Sequence, residues 1–274
     1  LRLRAESGDL RRKTSAGTPL TLLALARLLP VYEATGRSAD ADGLRAELAR
    51  RAEQELPEAP GSDQIAALTL RAESRARQGR WPEAAEDFTR LLEFDPSSIR
   101  ALHLAAVLMQ SNDQAAYRTL CQQVIARFSS SHDAPDAERA AKICWLMPGA
   151  ADSATACDLT ETALAADGYE RPWALLTSGL GCLRQGELDK AATALDQCLA
   201  SAIAPEGRAA ALAVLAMVQA RQNHQVEAKL SLERSSSILG ETFQQDPGSP
   251  QQVPSGQWYD WLIARCLQRE ANKA

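Results

Sequence analysis

The segment from Gln78 to Pro96, QGRWPEAAEDFTRLLEFDP, constrains the fold of this chain more than any other part of the sequence. Gly79 is typical of the end of one helix, and Trp81-Pro82 is typical of the start of the next, because proline is well tolerated in a first helical turn. Apolar residues then recur at helical spacing until Asp95-Pro96 ends the pattern. A single helix pair of this kind cannot bury its own apolar stripe, so the segment predicts further pairs stacked against it.

Three positions of this segment resemble the tetratricopeptide repeat. Ala84 and Phe88 match the small residue and the aromatic residue that lie four positions apart in that repeat, and Pro96 matches its closing proline. The resemblance implies an all-α fold, a right-handed α-solenoid of about six tetratricopeptide-like (TPR-like) helix pairs with a C-terminal capping helix. The function to expect of such a fold is binding rather than catalysis.

The turn residues indicate that the pattern repeats along the chain. Gly79 and Gly186 are about three repeat lengths apart, and Gly186 and Asn223 are about one repeat length apart. Gly179 lies seven positions before Gly186, and Ala216 lies seven positions before Asn223. At this position the two helices of a repeat approach closely. We therefore predict a repeat domain over residues 16–274, preceded by a linker or leading helix over residues 1–15. The predicted units cover residues 16–60, 61–97, 98–132, 133–168, 169–204 and 205–240.

The end of the chain departs from the repeat pattern. Residues 241–256 contain Pro247, Pro250 and Pro254, which favour an exposed loop. Residues 257–274 form one more amphipathic helix, and its apolar side chains predict a cap over the open end of the last unit.

Composition excludes several classes of function. The net charge of −5 comes without a Lys/Arg block interleaved with aromatic residues, so nucleic-acid binding is disfavoured. The longest uncharged apolar run, Ala209 to Ala220, is shorter than the roughly 18 residues of a membrane helix, so we predict a buried solenoid helix there and no membrane insertion. The six cysteines stand singly, which favours buried free thiols and a reducing, cytoplasmic location.

Catalytic, metal and cofactor sites are not indicated. The three histidines are scattered, and no C-x-x-C pair is present to help build a metal site. His132-Asp133 could supply half of an acid/base pair, but it has no recognisable nucleophile beside it. The Gly179-Leu180-Gly181 segment follows no strand, so helix packing explains it better than phosphate binding. We therefore predict a non-enzyme without a cofactor.

The concave groove of the solenoid is the predicted site of function, with a protein or peptide as its partner. Arg77, Arg184 and Arg221 each lie two residues before a turn residue and would occupy equivalent sites, where they could pair with acidic groups. Basic residues are also common in the last turn of a helix because they suit its dipole, which is the simpler explanation. Trp173 and Met217 fall on the same wall, as apolar anchors or as core residues.

Most of the chain, from about Leu68 to Ala271, resembles the C-terminal repeat region of bacterial multidomain proteins in which helical repeats follow a serine/threonine protein kinase domain or WD40 propellers. The residues that carry the resemblance are Tyr117-Arg118, Cys121, Phe128, Cys144, Pro148-Gly149-Ala150, Gly186, Ala191, Trp258 and Trp261-Leu262. Kinase signatures are absent. The resemblance implies the non-catalytic TPR module of a larger signalling protein, covalently linked to a kinase or WD40 domain. A stand-alone adaptor or assembly factor of a secretion or envelope complex is the alternative.

Overall fold

A computed structural model describes residues 28, 31–32, 35–54, 62–165, 167–243 and 257–274. Within these ranges the chain is all-α and contains no strand, as the sequence predicts. The α-helices are α1 (Ser38–Gln54), α2 (Ser62–Arg77), α3 (Trp81–Phe94), α4 (Ser98–Ser111), α5 (Gln114–Phe128), α6 (Ala134–Leu146), α7 (Ser153–Leu164), α8 (Arg171–Gln185), α9 (Leu188–Ala200), α10 (Pro205–Arg221), α11 (Gln225–Phe243) and α12 (Trp258–Ala271). The predicted leading segment, residues 1–15, and residues 244–256 of the predicted loop lie outside the described residues.

The chain divides into two compact units, Leu1–Arg75 and Ala76–Ala274. In the first unit, Tyr32, Ala41, Leu44 and Leu48 form a buried apolar cluster. The partly buried Leu28 and Leu70 pack against the same cluster, so α2 contributes to it.

The second unit is a stack of helix pairs. Each helix from α3 to α11 packs on the next one along the chain, and α4, α6, α8 and α10 also contact one another in sequence order. These four helices, called the inner helices below, form one continuous layer, while α5, α7, α9 and α11 lie behind it. Contacts limited to neighbouring pairs define a TPR-like solenoid.

Left-handed backbone conformations mark the turns that join the two helices of each pair. Gly79, Asn112, Gly149, Gly186 and Asn223 all have positive φ. At the end of α8, the amide of Gly186 donates to the carbonyl groups of Cys182 and Leu183 and so satisfies orphan acceptors of the helix. Glycine and asparagine adopt this conformation at the lowest cost, which explains why these two residue types recur at one-repeat intervals.

Two glycines allow α8 to approach helices on both of its sides. A Cβ atom at Gly179 would lie 2.6 Å from Cγ of Leu195 in α9, and a Cβ atom at Gly181 would lie 2.8 Å from Nε1 of Trp145 in α6. Both distances are far below van der Waals contact. The two glycines therefore serve helix packing, as predicted for them from the sequence.

Replacing Gly179 with alanine tests this packing. We expect Gly179→Ala to lower the free energy of unfolding by about 1–3 kcal/mol, because overpacking at Leu195 outweighs the gain of about 1 kcal/mol in helix propensity. Urea denaturation followed by circular dichroism measures the change. The control is Gly43→Ala in α1, where a Cβ atom meets nothing within 4 Å, so helix propensity should raise stability; equal effects of the two substitutions would contradict the close-approach argument.

Candidate functional site

Helix α12 lies along the inner helices and fills the surface that the sequence predicts as a binding groove. It contacts α10 and α11, which form the last helix pair. The sequence predicts this contact, because it predicts that α12 caps the last pair. It also contacts α4, which lies three inner helices away from α10. Side chains of α6 and α8 face α12 around a small cavity between them. The inner groove, defined here as the surface of α4, α6, α8 and α10 beneath α12, is thus occupied along its length.

Helix α12 is amphipathic, with a broad apolar surface that contacts several neighbouring helices. Trp258 and Leu262 are essentially fully buried, and so are Ile263 and Leu267. The members of each pair lie four residues apart and share a face, but Ile263 and Leu267 are rotated by about 140° from Trp258 and Leu262, so α12 is buried on more than one side. Arg269 and Asn272, near the end of the helix, reach solvent.

The beginning of α12 is held by an aromatic cluster. The ring of Trp258 stacks on Phe88 of α3 at a centroid distance of 5.7 Å with an interplanar angle of 21°. His103 of α4 lies 5.2 Å from Trp258 and 4.5 Å from Tyr259, measured between ring centroids. Phe88 is also the aromatic residue of the repeat signature, so the clearest repeat of the sequence contributes directly to the seat of α12.

His103 is an unusual member of this cluster because its polar atoms are not satisfied. Both ring nitrogens are shielded from solvent and have no hydrogen-bond partner among the described residues. Burial, assisted by the nearby positive charges of Arg100 and Arg139, lowers the pKa of His103 to about 3. The imidazole is therefore neutral at physiological pH while α12 is in place.

A buried ion pair lies at the middle of the groove. Nζ of Lys142 is 2.9 Å from Oε1 of Glu138, one turn earlier in α6, and both side chains are about 5% exposed. The hydroxyl of Thr177 in α8 donates to the same carboxylate at 2.6 Å. Lys142 also lies over the ring of Trp173 at 4.6 Å from the centroid. Burial alone would lower the pKa of Lys142, but Glu138 and Asp260 raise it, so the ammonium group stays charged.

Helix α12 adds a further carboxylate to this region. Asp260 is 7% exposed and lines a cavity of about 10 Å³ together with Lys142, Glu206 and the apolar residues around them. A cavity of this size is close to the lower limit for one water molecule. Burial raises the pKa of Asp260 to about 7; Glu138 and Glu206 act in the same direction, against Lys142 and Arg139. Burial also raises the pKa of Glu206. One ammonium group thus faces three carboxyl groups.

The end of α12 is fixed by Arg184, one of the predicted partner-binding arginines. Its side chain is 7% exposed, and its guanidinium group forms a two-pronged ion pair with Glu270 of α12, with Nη2 to Oε2 at 2.8 Å. The same group donates to the carbonyl oxygens of Trp145 at 3.0 Å and Leu146 at 3.2 Å, in the last turn of α6. Arg184 therefore joins three helices.

The other predicted arginines have different surroundings. Arg221 donates from Nη1 to the carbonyl oxygen of Leu183 at 3.1 Å, so it connects the end of α10 to the last turn of α8. This contact is equivalent to the one that Arg184 makes with α6, one repeat earlier. Arg77 is half-buried in the last turn of α2. Two of the three arginines thus connect the ends of successive inner helices.

The two predicted apolar anchors are both buried. Trp173 is 7% exposed, faces the cavity beneath α12, and packs against α10 where Gly207 has no side chain. Met217 is 2% exposed within α10. Trp173 and Arg184 therefore face α12 at different places, the cavity and Glu270, while Met217 lies in the packed interior of the inner layer.

Sequence reasoning missed several groove residues that the structure brings together. Gln110 of α4 donates from Nε2 to the carbonyl oxygen of Leu262 at 3.2 Å and to Sγ of Cys266 at 2.9 Å. Lys142 and Asp260 were also missed, although each is a charged residue inside an otherwise apolar helical stretch. That contrast is a usable signal, since charged residues are almost never fully buried unless paired.

The remaining chemistry of the described residues is limited. All six cysteines are free thiols, and Cys121, Cys144 and Cys198 are buried, in agreement with the prediction of free thiols. No group of three or more His, Cys, Asp or Glu side chains in the described ranges is arranged to hold a metal ion. Of the helices described, none combines the length and the hydropathy that crossing a membrane requires.

The contrast between Arg184 and Arg221 is testable by alanine substitution. We expect Arg184→Ala to lower the free energy of unfolding by about 2 kcal/mol, because it breaks charge-assisted hydrogen bonds to Glu270 and leaves two carbonyl groups of α6 without their donor. Arg221→Ala removes one partly buried hydrogen bond to a carbonyl group, without an ion pair, and should cost less than about 1 kcal/mol. Urea denaturation compares them; equal losses would show that Arg184 does not fix α12.

The buried carboxyl group of Asp260 predicts a pH dependence. Its pKa of about 7 lies above the ordinary value of 3.8, so its contribution to stability is fully present below pH 3.8 and is lost as the pH rises to about 7. Asp260→Asn keeps the side chain neutral at every pH. The stability of this variant relative to the natural chain should therefore increase between pH 4 and 7, by about 1.4 kcal/mol per unit of pKa difference, and level off above pH 8.

His103→Phe provides the matched comparison, because the pKa of His103 is shifted in the opposite direction. His103 must stay neutral beneath α12, so the natural chain loses stability relative to His103→Phe as the pH falls from 6.5 towards 3. Urea unfolding at fixed pH intervals measures both differences. Parallel stability profiles for the natural chain and Asp260→Asn would contradict the assignment of Asp260.

Comparison with known proteins identifies one repeat by sequence and the fold by structure. A family model described as tetratricopeptide repeat matches residues 66–98, which include most of α2 and all of α3. No curated protein sequence matches the chain.

Solved structures of repeat proteins are similar to the chain at low sequence identity. The Cut9–Hcn1 hetero-tetramer of the APC/C is 17% identical, with a TM-score of 0.53 over 93% of this chain and 44% of that one. The MamA RS-1 ArsTM double mutant is 15% identical, with a TM-score of 0.42 over 68% of this chain and 99% of that one. The first similarity, together with the matched repeat, supports an all-α TPR-like solenoid.

Proposed function

We propose that this chain is a non-catalytic protein-interaction scaffold that binds an amphipathic helix of a partner protein in its inner groove. The observation that supports this most strongly is the occupancy of the groove by α12, a helix of 14 residues. Recognition of a helix in a groove uses apolar anchors separated by three, four and seven positions. Trp261 and Leu262 lie three and four positions after Trp258, so the surface that covers them suits the apolar anchors of a partner helix.

The charged groups of the groove supply direction and specificity. Arg184 presents a planar fork that suits a carboxylate, and we propose that it pairs with an acidic residue of the partner as it does with Glu270. We propose that Trp173, which faces the cavity beneath α12, is a separate apolar contact. We propose that Arg221 and Met217 support the wall of the groove through the inner helix α10, and that Arg77, at the end of α2, contributes to partner binding.

The wider context that we propose rests on the resemblance carried by residues 68–271. The scaffold is the TPR module of a larger bacterial signalling protein, linked to a kinase domain or WD40 propellers, and it acts in the cytoplasm. Its partners are proteins rather than nucleic acids or membranes. The coding sequence upstream of Leu1 distinguishes this arrangement from a stand-alone adaptor of a secretion or envelope complex.

A displayed library of amphipathic helical peptides tests the proposed function. The full chain, immobilised, should enrich helical sequences over a scrambled library of the same composition. Hydrogen–deuterium exchange of the chain with an enriched peptide should show changed protection in α4, α6, α8 and α10, and unchanged protection in α5, α7 and α9, because the binding surface belongs to the inner helices.

A second apolar surface provides the control. Val226 and Leu230 are 70% and 54% exposed on one face of α11, away from the groove. The double variant Val226→Ser, Leu230→Ser should bind the enriched peptides as well as the natural chain does. Loss of binding in this variant, or the absence of any enriched helical sequence, would contradict the proposal.

A further inference from the structure

Helix α12 is held in the groove by contacts of the kind that a bound ligand makes. Gln110 of α4 donates to the carbonyl oxygen of Leu262 at 3.2 Å. At the other end, Arg184 of α8 pairs with Glu270. Nε2 of Gln268 donates to the hydroxyl of Ser236 in α11 at 3.0 Å. Three separate helices of the solenoid thus fix one amphipathic helix by side-chain hydrogen bonds at intervals along its length.

Two of the contacts beneath α12 are unfavourable. Asp260 is buried and lines one cavity with Glu206 and Lys142, and the ammonium group of Lys142 is already paired with Glu138. Close by, Trp258 and Tyr259 pack against His103, and both ring nitrogens of His103 are buried without a hydrogen-bond partner. A buried polar group without a partner costs free energy. The natural helix is therefore not the best occupant that this groove could hold.

The groove nevertheless cannot be left empty without cost. In α10, every residue from Ala209 to Val218 is buried, and α12 covers the side of α10 that faces the groove. Departure of α12 alone would expose that apolar surface to water. Exchange of α12 for another helix of the same apolar chemistry keeps the surface covered, so replacement is favoured over simple opening.

We propose that α12 is a replaceable internal occupant of the groove. It closes the groove in the free chain, and it is replaced by a partner helix that has the same aromatic anchors but no carboxyl group at the position of Asp260. The partner helix carries aromatic residues at the positions of Trp258 and Trp261, an acidic residue at the position of Glu270, and a neutral amide at the position of Asp260. This inference rests on the proposed function, because it names the partner class and the regulation of the same groove.

Exchange with a peptide copy of α12 tests the proposal on the full chain. Fluorescein-labelled peptides with the sequence of residues 257–274, with and without Asp260→Asn, are titrated with the natural chain and with a Glu270→Arg chain. The Glu270→Arg chain should bind either peptide about tenfold more tightly, since loss of the ion pair weakens its own helix as a competitor while the groove is unchanged. At pH 8, the Asp260→Asn peptide should bind at least about tenfold more tightly than the natural peptide, and the advantage should disappear towards pH 4.

Two controls separate exchange from unfolding. Glu161→Arg makes the same substitution on the exposed surface of α7 and should bind the peptides as the natural chain does. In a second experiment, a site for a sequence-specific protease is inserted between residues 247 and 252 of the full chain. After cleavage, native mass spectrometry should detect replacement of the α12 fragment by the labelled peptide, without any substitution in the groove or in α12.

Three outcomes would overturn the proposal. The first is equal peptide affinity for the natural and Glu270→Arg chains, and the second is retention of the cleaved α12 fragment against excess peptide. The third is a dimer in which two copies exchange their α12 helices, detected by mixing chains of different isotopic mass. The exchange experiment uses the chain's own helix and does not depend on the peptide library. A negative exchange experiment would therefore overturn only the replacement of α12, and a library without enriched peptides would overturn only the proposed function.

Discussion

Burial of α10 is the constraint on which the arrangement of the second unit depends. A helix without a polar face is stable only if other elements cover all of its sides, and α10 is apolar around its whole circumference from Ala209 to Val218. The preceding inner helix α8 covers one side, α9 and α11 cover the back, and α12 covers the side that faces the groove. A solenoid of two layers would leave that last side in water, so the C-terminal helix completes the core.

The same covering helix brings polar groups into the interior. Lys142 and Glu138 satisfy each other, whereas burial raises the pKa of Asp260 and the nearby carboxyl groups of Glu138 and Glu206 raise it further. Apolar packing and electrostatics therefore oppose each other at α12. The first holds the helix in place, and the second limits how tightly it is held. An exchangeable element needs this combination, since a purely apolar seat would make α12 a permanent part of the fold.

The sequence predicted the helices and their turns well, and the groove chemistry poorly. Gly79, Gly186 and Asn223 were recognisable because left-handed turns favour glycine and asparagine, and Gly179 was recognisable because two helices approach closely there. Arg184 and Arg221 were correctly placed in equivalent helix ends, but their contacts with carbonyl groups of the preceding inner helix depend on how the repeats stack. Periodicity indicates which face of a helix is apolar and not which other helix covers it.

The sequence by itself determined the all-α class and the repeating turns, because helix propensity, capping and the 3.6-residue period act over a few neighbouring positions. The tertiary structure decided that α12 fills the inner groove as well as covering the last pair. That placement depends on contacts between residues far apart in the chain, such as Gln110 and Leu262, which are 152 positions apart. Local patterns carry no information about such pairs, because the energy of burying Trp258 or Asp260 is set by the helices that surround them after folding.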